Sequence, residues 1–147
     1  MTVATLWTIG YEKLLPPELV TELEHAAVER VIDVRFRPQS RRPGMSKTRL
    51  GEMLADRGIA YEPRRTLGTP PDIRHLFRTN RIPEAREQMR THLEASAAGE
   101  LDALAAELPN APRTALLCLE ADPAGCHRRV VAEALVQRLP ALRVVDL

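Results

Sequence analysis

The feature that most restricts the fold is alternation: short β-branched or leucine-rich runs are separated by stretches of helical periodicity along the whole chain. That order predicts an α/β protein with a mainly parallel central sheet of about five strands flanked by helices, a Rossmann-like three-layer arrangement. The strands are expected near residues 5–10, 30–36, 59–62, 113–119 and 143–147. The second, fourth and fifth have the near-continuous apolar character of parallel strands buried on both faces.

Helices are expected between them. Pro16-Pro17 suits a first helical turn, after which Leu19, Leu23, Ala26 and Ala27 share one face. Ser46 is a good N-cap for a second helix, with Leu50, Met53 and Leu54 inward and Gly58 past its end. Residues 82–108 and 126–139 read as helical. In the latter, His127, Val131, Ala134, Leu135 and Leu139 form a stripe that should face the sheet. Residues 37–46 and 63–81 match no element and read as long loops, a length that in a domain this size points to function. With 147 residues, no repeat and no linker, residues 1–147 are expected to form a single domain.

Met1 to Leu6 lack the charged and long apolar regions of a secretory leader, and charges interrupt every apolar run. A cytoplasmic protein with no membrane segment is therefore expected. In that compartment the two cysteines should be free thiols. One Trp, two Tyr and two Phe leave few platforms on which bases can stack.

The net charge of +1 conceals a strong asymmetry, because residues 35–81 hold 12 of the 21 basic residues and 4 of the 20 acidic ones. Such a cationic stretch steers an anionic partner.

The densest chemistry lies in Cys118-Leu119-Glu120-Ala121-Asp122-Pro123-Ala124-Gly125-Cys126-His127-Arg128, where a buried strand should end and a helix begin. Ligands of open α/β sheets bind at such carboxyl ends. Cys126 is expected in the first helical turn, where free N–H groups favour a thiolate, with His127 or Glu120 moving protons. Arg128 opposes the helix dipole there and needs an anion: Glu120, Asp33 or a bound phosphate. On the structural alternative, Cys118 is a small buried hydrophobe and His127 a core residue. A metal site fits poorly, since seven residues separate the cysteines, and no metal or cofactor is expected. The Cys-x5-Arg loop of phosphatases is also not matched.

Two further groups stand at strand ends. Asp33 and Arg35 share one side of the second strand, either as an ion pair fixing the loop or as part of a ligand site. Six basic residues with no acid between 35 and 49, including Arg41 and Arg42, suggest a surface for phosphate. Gly10 in Thr8-Ile9-Gly10-Tyr11 allows a turn or a close ligand approach. His25, His75 and His92 read as surface or packing residues.

In their order, Thr8-Ile9-Gly10, Asp33-Val34-Arg35 with Pro38 and Ser40, Gly44-Met45-Ser46-Lys47, Leu67-Gly68, Cys118-x-Glu120 and Cys126-His127-Arg128 resemble the bacterial domain-of-unknown-function family 488. Met45 stands where an aromatic is common, and Thr69 where a second glycine is. The resemblance implies an α/β domain with these motifs gathered at one end of the sheet, and it supplies no reaction.

Two functions follow as expectations. One is a small enzyme acting on a phosphate-bearing substrate, a nucleotide or nucleic acid, with Cys126, His127, Glu120 and Asp33 in catalysis and Arg128, Arg35, Arg41, Arg42 and Gly10 holding the ligand. The other is a non-catalytic RNA- or DNA-binding module using the 35–49 loop.

Overall fold

In the computed structural model, which describes residues 4–147, five parallel strands form one sheet flanked by six α-helices, as the alternation predicts. Met1, Thr2 and Val3, on which part of the leader expectation rests, lie outside the described residues. The strands are β1 (Thr5–Gly10), β2 (Arg30–Asp33), β3 (Ala60–Pro63), β4 (Thr114–Cys118) and β5 (Arg143–Asp146), in the order β3-β2-β4-β1-β5. All pairings are parallel.

Residue alternation along the central strands divides the core. Trp7, Ile9, Val31, Ala115 and Leu117 meet α1 (Pro16–His25) and α2 (Lys47–Ala55) through Leu19, Leu23, Leu50 and Leu54. On the opposite face, Leu6, Ile32, Leu116 and Cys118 join a cluster with residues of α3 (Pro71–Arg78), α4 (Ile82–Ser96), α5 (Ala98–Glu107) and α6 (His127–Arg138). The chain leaves β4 toward this second face, while it leaves β1 and β2, its two neighbours, toward the first. A crevice therefore opens at the carboxyl end of β4, the topological switch point at which open α/β sheets bind ligands.

Four local expectations need correction. Strand β5, expected to be buried on both faces, is an edge strand and mostly exposed. The segment 63–81 is not a structureless loop, because it holds a 3-10 turn (Arg65–Leu67) and α3. Pro71 in the first turn, Asp72 beside it, and Ile73 and Leu76 one turn apart build that helix. Helix 82–108 breaks at Ala97 (φ −137°) into α4 and α5. One continuous helix would run about 40 Å, twice the span of a strand, and could not stay on the sheet. Strand β2 stops at Asp33 instead of reaching residue 36, because the Asp33 carboxylate accepts the Arg35 backbone N–H at 3.0 Å and turns the chain. Residues 37–46 do form an irregular loop, turned at Gly44 (φ +83°). No helix among the described residues is long and apolar enough to cross a membrane.

Candidate functional site

The corner between β4 and α6 is held by its own polar groups. Asp122 accepts from the Ala124 N–H at 2.9 Å and starts a 3-10 turn, Pro123–Gly125. Cys126 then serves as the N-cap of α6, one residue before the expected first turn, its sulfur accepting from the Arg128 N–H at 3.4 Å. Cys118 ends β4 facing this cap, and the two sulfurs meet, with Cα atoms 7.6 Å apart, wider than the roughly 4.4–6.8 Å a disulfide usually spans. The strand end and the helix cap bring together two cysteines eight apart in sequence. Cys118 is a fully buried member of the core cluster, as the structural alternative expects, and also lines the cleft described below. The Glu120 carboxylate lies 3.7 Å from the Cys118 sulfur. Cys118, Glu120 and Cys126 offer donor atoms all within 4.8 Å of one another, a set that a thiophilic divalent cation can use when the sulfurs are reduced.

Arg128 has the opposite of the exposure that ligand binding requires. It is fully buried. Its Nη1 donates to the Cys118 sulfur at 3.2 Å and to the Glu120 carbonyl, its Nη2 to the Ala121 carbonyl at 3.2 Å, and its Nε to Thr8 Oγ1 at 3.1 Å. Thr8 in turn donates to Asp146. Burial lowers the Arg128 pKa below the ordinary guanidinium value, against the pull of Asp146, Glu120 and Asp122. Backbone carbonyls and these acids thus supply the counter-charge that the sequence demanded. Gly10 serves the same packing, because a Cβ there would fall 1.7 Å from the Glu120 oxygen and 2.9 Å from Arg128 Nη1.

His127 is buried, and its Nε2–H donates to the Val34 carbonyl at 2.6 Å. A carbonyl only accepts, so Nδ1 carries no proton, and it lies 3.7 Å from the Cys126 sulfur. Burial, with Arg74 and Arg128 nearby, lowers the His127 pKa to about 4 in spite of the Val34 hydrogen bond. The ring is neutral near pH 7.

Asp33, expected in catalysis, is fully buried and saturated. It accepts from the Arg35 backbone, from Arg35 Nε at 2.9 Å and Nη2 at 2.7 Å, and from the Tyr61 hydroxyl at 2.5 Å. Of the two readings of this pair, the ion pair that fixes the loop is the one observed. Arg35 also donates to the Met45 carbonyl at 2.7 Å and lies over the Tyr11 ring. Burial pulls the Arg35 pKa down, but Asp33 more than offsets it and leaves it above the ordinary value. Burial and Asp33 push the Tyr61 phenol up. Arg42, expected to hold ligand, donates instead to the carbonyls of Tyr11 at 2.6 Å, Glu12 at 3.0 Å and Leu14. Arg41 is exposed and outside the crevice.

A narrow cleft of about 40 Å³ lies beside this cluster, lined by Cys118, Glu120, His127 and Arg35 together with Thr69 and Arg74. Thr69, Arg74, Tyr61 and the Thr8 to Asp146 relay were not identified from sequence. Phe77 of the unrecognised helix α3 also lines the cleft, so the apolar spacing of Ile73, Leu76 and Phe77 was the available signal.

Fold and site together define a three-layer parallel α/β protein with a paired-cysteine corner at the carboxyl end of its central strand. The family model described as "Domain of unknown function DUF488" matches residues 16–135, and the chain belongs to that family. No curated protein and no solved structure matches the chain.

Proposed function

We propose that this protein is a small enzyme that acts on a phosphate-bearing substrate through thiol chemistry at Cys118 and Cys126. The observation that carries this reading is the meeting of the two sulfurs beside a narrow cleft whose walls also hold arginines. When the pair is reduced, the N-cap position of Cys126 and the guanidinium contact to Cys118 favour thiolates. The Glu120 carboxylate, 3.7 Å from the Cys118 sulfur, is placed to accept its thiol proton, while neutral His127 Nδ1 faces the Cys126 sulfur as a hydrogen-bond acceptor. Asp33 acts only by holding Arg35. The reading includes a cytoplasmic setting, where cellular reductants would keep the pair open for reaction.

Reduced protein incubated with a panel of phosphorylated metabolites, with products read by mass spectrometry, tests the proposal. Turnover that disappears in folded Cys126→Ser supports it. Equal turnover in wild type and Cys126→Ser would remove the thiol from the mechanism.

A second reading rests on a different observation: Arg37, Arg41, Lys47 and Arg49 are exposed and without ion pairs among the described residues. A nucleic-acid backbone can use such a row. Fluorescence anisotropy of labelled RNA and DNA at low and physiological salt tests it, with salt-dependent affinity lost in Arg41→Ala/Lys47→Ala as the expected result.

A further inference from the structure

The narrow cleft does not end at the sulfurs' side. Phe36, Arg37, Thr69 and Arg74 line both it and a wider groove of about 370 Å³, which adds His75 and Arg78 from α3. No carboxylate lines that groove among the described residues.

Two observations mark the groove as built for an anion. Arg37, Arg74 and Arg78 have no ion pair or side-chain hydrogen bond among the described residues, while Arg30, Arg64, Arg86 and Arg138 are each matched to glutamates. Independently, Thr69 is 4% exposed and its hydroxyl has no partner among the described residues. The other two unpartnered buried atoms among the described residues belong to Arg30 and Arg86, each of which still pairs its guanidinium with a glutamate; the Thr69 hydroxyl is that side chain's whole polar capacity. A buried hydroxyl left unpaired costs free energy that a hydrogen-bonding ligand recovers.

The geometry points to a bipartite site for a small phosphate monoester: its phosphate lies in the groove against Arg37, Arg74 and the Thr69 hydroxyl, and its reacting end enters the cleft toward Cys118. Sizes favour this division, because the cleft admits only a group of about one or two water volumes, whereas the groove holds a phosphate with part of its carrier. Arg74 spans the two spaces, and Arg78 stands on the same helix one turn away.

This inference rests on the proposed enzyme reading for its reacting end, but its anion subsite is measured separately. Inorganic phosphate titrated calorimetrically into the full chain at low salt is expected to bind one to one. Arg74→Ala and Thr69→Val should each weaken that binding about tenfold, the scale of a lost hydrogen bond to a charged group, while Arg143→Ala, on the exposed edge strand, leaves it unchanged. Thr69→Val is close in shape, so a purely structural Thr69 would give unchanged phosphate affinity and equal or higher stability. Affinity that is the same in all variants, or binding seen only with single-stranded RNA, overturns the subsite. If phosphate binding follows these variants while Cys126→Ser turns over normally, the thiol mechanism fails and the subsite stands.

Discussion

Arg128 Nη1 sits 3.2 Å from the Cys118 sulfur, and neither side chain has any exposure. The guanidinium binds the end of β4 to β1 through Thr8 and to the following loop through the carbonyls of residues 120 and 121. It is a clamp on the site and not a hand extended to the substrate. Arg128→Met would leave those acceptors buried and unpaired, and should cost about 3 kcal/mol or more. Urea unfolding of the two proteins measures this; a loss below about 1 kcal/mol would deny Arg128 that role.

Lowering the pH should weaken the fold through His127. Its pKa is about 4 in the native protein against 6.5 ordinarily, so the unfolded chain binds the extra proton first. Stability from this residue is complete above about pH 6.5 and falls as the pH descends toward 4, by a total on the order of 3 kcal/mol. His127→Gln keeps a donor for the Val34 carbonyl and cannot titrate. Urea midpoints between pH 7 and 4.5 should therefore fall less steeply in the variant, and parallel curves would contradict the assignment.

The Asp33 carboxylate holds a buried cation, which makes it and its phenol partner Tyr61 unequal under mutation. Asp33→Asn strands the Arg35 charge and should cost about 3–5 kcal/mol, whereas Tyr61→Phe removes one hydrogen bond at about 1 kcal/mol. Thermal melts of both variants give the comparison. Equal losses would mean that Arg35 finds another counter-charge.

Adjacent arginines in the 37–46 loop should behave oppositely. Arg42→Ala frees three carbonyls of residues 11, 12 and 14 and should destabilise by about 1–3 kcal/mol. Arg41→Ala should leave the melting temperature unchanged, since that side chain is exposed. A thermal shift in Arg41→Ala larger than that in Arg42→Ala would reverse the assignment.

Sequence periodicity located the five strands, α1, α2 and α6, because each has an apolar pattern of its own. Helix α3 was hidden by the prolines around it, which also begin helices, and the break at Ala97 follows from the size of the sheet, which no local pattern encodes. The Cys-His-Arg corner was legible as a place. The roles within it were less so: Arg128, Arg42 and Asp33 spend their polar groups on partners distant in sequence or on backbone carbonyls, and a chain of letters does not display carbonyls. Thr69 became a candidate only when its hydroxyl was seen buried and alone.

The first turn of α6 reaches in two directions, His127 to the residue after β2 and Arg128 to β1, while Cys126 caps the turn against the end of β4. Three neighbouring strand ends are thereby riveted to one helix. The wall of the cleft that carries the sulfurs is thus the anvil of the site. The other lining of the cleft has no such rivets among the described residues: α3 rests on the core cluster through Ile73 and Phe77 and brings Arg74 to the same space.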